Sequence, residues 1–85
     1  MAKLHFSLVA PERELFSGEV DQVVAPGTDG QFGVLAGHAP FMTTLAEGDV
    51  TVIDGASTRT FAVRGGFADV TPAGLTILAQ HATEG

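Results

Sequence analysis

Alternation of apolar and polar residues constrains this chain more than anything else. In Leu4-His5-Phe6-Ser7-Leu8-Val9, the apolar Leu4, Phe6 and Leu8 fall on every second position, the period of a half-buried strand. Residues 19–25 follow Ser17-Gly18, expected as a turn, and stop at Pro26-Gly27. Residues 49–53 and 58–64 flank Asp54-Gly55-Ala56-Ser57, and residues 67–71 and 75–79 flank Pro72-Ala73-Gly74. Each pair reads as a hairpin. Residues 32–35 and 41–45 add two short strands. Helical periodicity is weak throughout, with one expected helical turn over 11–16 before Ser17-Gly18 ends it. Many short strands between Gly/Pro turns predict an all-β sandwich or barrel. The 85 residues suffice for one modest core, so 1–85 is expected to be one domain.

Gly30-Gln31-Phe32-Gly33-Val34-Leu35-Ala36-Gly37-His38-Ala39-Pro40-Phe41 is the most distinctive stretch. Glycine serves where φ is positive or another chain comes close, and proline fixes φ and removes a donor. A segment so built has a dictated backbone path.

Charge narrows the partners. Four Lys/Arg stand against ten Asp/Glu, a net charge of −6. Binding nucleic acid needs clustered cations, and so does direct adsorption to anionic lipid. Neither is expected here, and the partner is expected to be another protein. The chain holds no cysteine, which excludes disulfides and thiolate metal sites. No apolar run approaches the ~20 residues needed to span a bilayer. The N-terminus has the pattern of neither a secretory signal nor a transit peptide, so a cytosolic location is expected.

Catalytic signals are weak. His5, His38 and His81 are far apart in sequence, and no metal site is expected. His5 reads as a surface residue. His38 reads as a loop-ordering or partner-facing residue. Gly27, Gly30 and Gly33 recur every third position, but no Lys-Ser/Thr follows as a phosphate loop requires, so turn and strand-entry roles are expected. Glu12 with Glu14, and Glu19 with Asp21, would each point one way on a strand, the simple mark of a solvated face rather than a catalytic pair. Arg59 and Arg64 are expected to pair with carboxylates or with a partner's carbonyls. Gly65-Gly66 at a strand entry has two readings, a tight corner of the sandwich or a subunit contact.

Taken in order, these segments resemble subunit epsilon of the F-type ATP synthase. The matching pieces are residues 4–9, Leu15-Phe16-Ser17-Gly18, Gly27-Thr28-Asp29-Gly30-Gln31-Phe32-Gly33-Val34-Leu35, Gly37-His38-Ala39-Pro40-Phe41-Met42-Thr43-Thr44-Leu45, Gly65-Gly66-Phe67-Ala68-Asp69-Val70 and Leu75-Thr76-Ile77-Leu78-Ala79. Ala36 stands where the family often has proline, and Gln31 where it often has an acid. The resemblance implies a ten-stranded β-sandwich of two sheets. It implies a central-stalk rotor subunit that binds the gamma subunit and the ring of c subunits. Such a subunit couples proton-driven rotation to ATP synthesis without catalysing a reaction or holding a cofactor.

By the same resemblance, Thr28, Asp29, Gly30, Gln31 and Phe32 form the ring-facing loop. Gly37, His38, Ala39, Pro40, Phe41 and Met42 form the gamma-facing surface. The expected location is peripheral, on the cytoplasmic face of the bacterial inner membrane, reached through the complex alone. Family members usually continue into a C-terminal helical hairpin that can restrain ATP hydrolysis. The sequence to Gly85 holds no residues of that hairpin, so inhibition is not expected of these 85 residues. Two rival readings are a small-ligand β-sandwich and a small enzyme. The first suffers from the absence of Trp and Tyr, which supply polar tips to aromatic sites, and the second from the missing nucleophile–base pair.

Overall fold

The computed structural model describes residues 3–37 and 39–84. Ten strands follow in order: β1 Leu4–Ala10, β2 Arg13–Val20, β3 Gln22–Gly27, β4 Gly30–Leu35, β5 Phe41–Thr44, β6 Gly48–Asp54, β7 Ser57–Val63, β8 Gly66–Thr71, β9 Gly74–Ala79 and β10 Ala82–Glu84. They form two five-stranded sheets, ordered β2-β1-β9-β8-β5 and β10-β7-β6-β3-β4. The expected ten-stranded sandwich of two sheets is therefore the fold. Neighbouring strands are antiparallel except β1 and β9, which run parallel with Phe6 opposite Leu75.

Period two does the sorting. In β1, Leu4, Phe6, Leu8 and Ala10 are buried and the residues between them are not. Phe6, Leu8, Leu75 and Ile77 from the first sheet meet Val23, Val34, Val50, Phe61 and Val63 from the second in one core. Each such side chain contributes about 1.5–3 kcal/mol by leaving water. Both expected hairpins are present. The β6–β7 turn places Gly55 at φ +60° between the paired Asp54 and Ser57, as a two-residue turn with glycine first requires. The β8–β9 turn closes with Thr71 opposite Gly74, and the Thr71 hydroxyl bonds the Gly74 backbone.

Three expectations fail in the first third of the chain. No helical turn forms over 11–16. Pro11 and Glu12 are the tip of the β1–β2 hairpin, with Ala10 opposite Arg13. The register slips where Leu8 faces Phe16 and Val9 faces Glu14, leaving Leu15 as the extra residue of a bulge. Nor is Ser17-Gly18 a turn: the two residues lie inside β2, opposite Ser7 and Phe6. That strand is a sheet edge, where small polar residues cost little. The expected strand over 19–25 is two strands. The chain leaves the first sheet after Val20, bends at Asp21 and enters the second sheet at Gln22.

The bend is clasped. Asp21 accepts the Gly55 N–H at 2.6 Å and donates its own N–H to the Ile53 carbonyl at 3.0 Å. Lys3 pairs with Asp21 at 3.3 Å and also with Asp54. The Gly55 hydrogen bond first, then Lys3, holds the Asp21 carboxyl below its ordinary value. Hydrogen bonds to Asp54 and then Asp21 raise the Lys3 ammonium above its ordinary value. A carboxyl lowered on folding stabilises the fold above its unfolded pKa, and that contribution disappears as pH falls through the native one. The raised ammonium contributes below its unfolded pKa and stops doing so as pH rises through the native one. Both groups are well exposed, so the contribution is small. Asp21→Asn is expected to flatten the loss of stability on the acid side, read from urea midpoints between neutral pH and about pH 2. An unchanged acid slope would show that the clasp carries none of it.

Candidate docking surfaces

The expected ring-facing loop is the β3–β4 hairpin. Gly27 pairs with Gly30, so Thr28 and Asp29 form its two-residue tip, and both are exposed. Gly30 takes φ +123°, which only glycine adopts without strain. Gln31 is exposed on the edge strand β4, whereas Phe32 is half-buried. The tip is tied to the other sheet. The Thr28 N–H donates to the Thr44 carbonyl at 3.3 Å, the two threonine hydroxyls lie 3.0 Å apart, and Gly27 bridges to Leu45.

The expected gamma-facing residues divide. Gly37, Ala39 and Pro40 are exposed in the β4–β5 loop. That loop lies at the opposite end of the sandwich from Thr28 and Asp29, because β4 ends beside Gln22 and β5 begins beside Val70. His38 lies outside the described residues. Phe41 turns inward and meets Phe32 edge-on, with ring centroids 5.7 Å apart. Phe41 and Phe32 thus form a seam between the sheets rather than an open contact surface. Met42 points the other way and is 64% exposed.

Met42 has company that the expected set lacks. On the outer face of the first sheet, Val9 stands beside Leu78, Leu78 beside Phe67 and Phe67 beside Thr44. Met42 is two residues before Thr44 and shares that face, diagonal to Phe67. Phe67 is 38% and Leu78 40% exposed. Val9, Leu78 and Phe67 therefore make one apolar band across β1, β9 and β8, with Met42 of β5 diagonal to Phe67 and opposite Asp69. Phe67 connects two shallow depressions. One is lined by Val9, Pro11, Leu78 and Gln80, the other by Thr28, Asp29, Met42 and Thr44. The expected ring-facing tip and Met42 are thus neighbours through Phe67. The signal was in the phase of the alternation: Ala68 and Val70 are buried, as are Leu75, Ile77 and Ala79, which puts apolar Phe67 and Leu78 on the face expected to be polar.

The remaining charged residues serve the frame. Arg59 donates from Nε and Nη2 to one Glu84 carboxylate oxygen at 2.9 and 2.7 Å. Its guanidinium lies 5.1 Å from the Phe16 ring centre and 5.2 Å from that of Phe61, which fastens β10 to β7 and β2. Arg64 donates to Glu47 at 2.7 Å. His5 and His81 are exposed. Among the described residues no group of three His, Asp or Glu is placed to hold a metal, and no helix is long and apolar enough to cross a membrane.

The class of protein is a two-sheet β-sandwich with a polar hairpin tip beside an apolar outer band. A family model described as ATP synthase, Delta/Epsilon chain, beta-sandwich domain matches residues 3–85. The chain belongs to this family. It is similar to the ATP synthase epsilon chain of Caulobacter vibrioides, with 77% identity over 84 residues covering 99% of this chain and 98% of that one. It is also similar to the ATP synthase epsilon chain of Hyphomonas neptunium, with 72% identity over 81 residues. There it covers 94% of this chain and spans only 60% of the relative's length. Among solved structures, a chain in the Euglena gracilis mitochondrial ATP synthase (OSCP/F1/c-ring) superposes with TM-score 0.92 at 25% identity. The match covers 99% of this chain and 54% of that one. A chain of the Tetrahymena thermophila central stalk and c-ring shares the fold, with TM-score 0.82 at 13% identity over 96% of this chain and 66% of that one.

Proposed function

We propose that residues 1–85 act as one epsilon-type domain in the central stalk of an F-type ATP synthase. On this reading the domain docks on the gamma subunit and on the c-ring, and so couples proton-driven rotation to ATP synthesis. It catalyses nothing and holds no cofactor. It sits on the cytoplasmic face of the bacterial inner membrane, peripherally, through the complex.

The observation that carries the reading is the apolar band of Val9, Leu78 and Phe67, with Met42 diagonal to it. Apolar and aromatic residues with few charges among them are what the buried centre of a stable interface contains. The band is the natural gamma-docking surface, and Met42 from the resemblance-based set lies beside it. Thr28, Asp29 and Gln31, exposed and polar at one end, suit the hydrophilic loops of the ring. A close-packed sandwich that carries both contacts side by side holds them in fixed relation without deforming.

The division of roles is testable. Replacing Asp29 and Gln31 with lysine is expected to lower ATP-driven proton pumping several-fold in vesicles carrying the reconstituted synthase. Affinity for gamma should stay within about twofold, as for contacts outside the buried centre of an interface. Equal loss of pumping and of gamma affinity would contradict the assignment of the hairpin tip to the ring.

A further inference from the structure

Asp54 enters the β6–β7 turn directly before Gly55. An aspartate before glycine is open to isomerisation, because glycine has no side chain to shield its backbone nitrogen. The Gly55 nitrogen would attack Cγ of the protonated Asp54 carboxyl. A C–N bond forms and a C–O bond breaks. One water leaves, made of a carboxyl oxygen, the carboxyl proton and the proton of the nitrogen. A second water then opens the succinimide ring. Opening at the backbone carbonyl leaves the chain running through the Asp54 side chain, an isoaspartyl linkage one carbon longer. The chain holds two Asp-Gly pairs, Asp29-Gly30 and Asp54-Gly55, and no asparagine that could give the same product by deamidation.

Three contacts oppose the step at Asp54. The Gly55 N–H donates to Asp21 Oδ2 at 2.6 Å, so the attacking nitrogen keeps its proton and is turned toward Asp21 instead of Cγ. Negative charge developing on that nitrogen is repelled by the Asp21 carboxylate. Lys3 Nζ pairs with Asp54 Oδ1 and lies 3.3 Å from Asp21 Oδ1, so swinging the Asp54 carboxyl over the nitrogen breaks that pair. Asp54 is also held opposite Ser57, and ring closure requires it to leave the extended strand. The other pair is unguarded. Asp29 is exposed at the two-residue tip between Gly27 and Gly30, and its carboxylate has no partner among the described residues.

We propose that the clasp of Lys3, Asp21 and Asp54 guards the Asp54-Gly55 bond against isomerisation, and that Asp29-Gly30 is the modification site left open. Ion pairs this exposed add little to stability, yet the clasp engages one of only four Lys/Arg in the chain. Chemical protection gives that lysine a role that stability does not. An extra backbone carbon at Asp54 would break the two-residue turn and draw the Gly55 N–H away from Asp21. The damage would fall where the chain crosses from one sheet to the other, so the guard preserves the bend as well as the turn.

Ageing the folded 85-residue chain in warm neutral buffer tests this, with isoaspartyl residues located by peptide mapping and counted by isoaspartyl methyltransferase labelling. The same chain aged in urea gives the unguarded rate at both pairs. The expected result is isoaspartate at Asp29 in the folded chain, with Asp54 held several-fold below its rate in urea. Lys3→Met and Asp21→Ala are each expected to raise the Asp54 rate several-fold and to leave the Asp29 rate unchanged, with circular dichroism checking the fold. Should Asp21→Ala unfold, Lys3→Met decides alone, because it keeps the hydrogen bonds of the bend. Asp54 isomerising in the folded parent as fast as in urea would overturn the proposal. So would folded variants that keep Asp54 as slow as in the parent. Asp29 slower than Asp54 in the folded parent would overturn the assignment of the open site.

Discussion

Gly66→Ala is expected to cost roughly 3–5 kcal/mol, the sum of backbone strain and overpacking. Gly66 takes φ +114°, and a methyl group there would lie 2.1 Å from the Leu78 carbonyl oxygen and 2.8 Å from the Ala79 Cα. Both obstacles are backbone of β9, which cannot move without opening the β8–β9 ladder. Domains of this size are stable by about 0.05–0.15 kcal/mol per residue, so the substitution removes a large share of the total. Gly30→Ala is the comparison. Gly30 has a similarly positive φ, but nothing lies within 4 Å of an added methyl, so only strain of about 1–3 kcal/mol applies. Urea denaturation of both variants checks the pair. Equal losses would show that the close approach at β9 contributes nothing.

Phe67→Asp is expected to weaken gamma binding by about 30- to 1000-fold while leaving the sandwich folded. Phe67 lies at the junction of the two depressions and between Leu78 and Thr44 in register. Anchors of this kind, aromatic and central, contribute about 2–4 kcal/mol to an interface, and a carboxylate in their place adds an unpaired charge to a surface that loses water. The side chain faces outward and is 38% exposed, so the core is untouched. Calorimetry with purified gamma measures the affinity, and circular dichroism checks the fold. Affinity within about twofold of the parent, the behaviour of a residue outside the binding centre, would remove the apolar band from the gamma interface.

Much of the fold was legible because period two and turn chemistry agree. Gly55 and the Pro72-Ala73 pair mark two hairpins that form where expected. The bend at Asp21 was readable in principle, since the spacing from buried Val20 to buried Val23 breaks the alternation. Ser17-Gly18 misled because turn-like residues also suit an edge strand. The corner reading of Gly65-Gly66 has its physical cause in the approach of β9 to Gly66.

The candidate surfaces were legible only in part. The tip at Thr28 and Asp29 and the exposed Met42 came from family resemblance, and the structure brings them side by side. Which aromatic faced outward was not decided by composition. Phe32 and Phe41 face each other across the sheets, while Phe67 is turned out by its phase in β8. Pairing registers are long-range facts, so the continuity of Val9, Leu78 and Phe67 across three strands appears only once β1 is set parallel to β9.

Titration calorimetry of the intact 85-residue chain against purified gamma is the most direct test of the central claim. One-to-one binding, lost in Phe67→Asp and kept when Asp29 and Gln31 are replaced, is the predicted result. No binding by the folded chain would contradict the account that the sandwich itself docks on gamma.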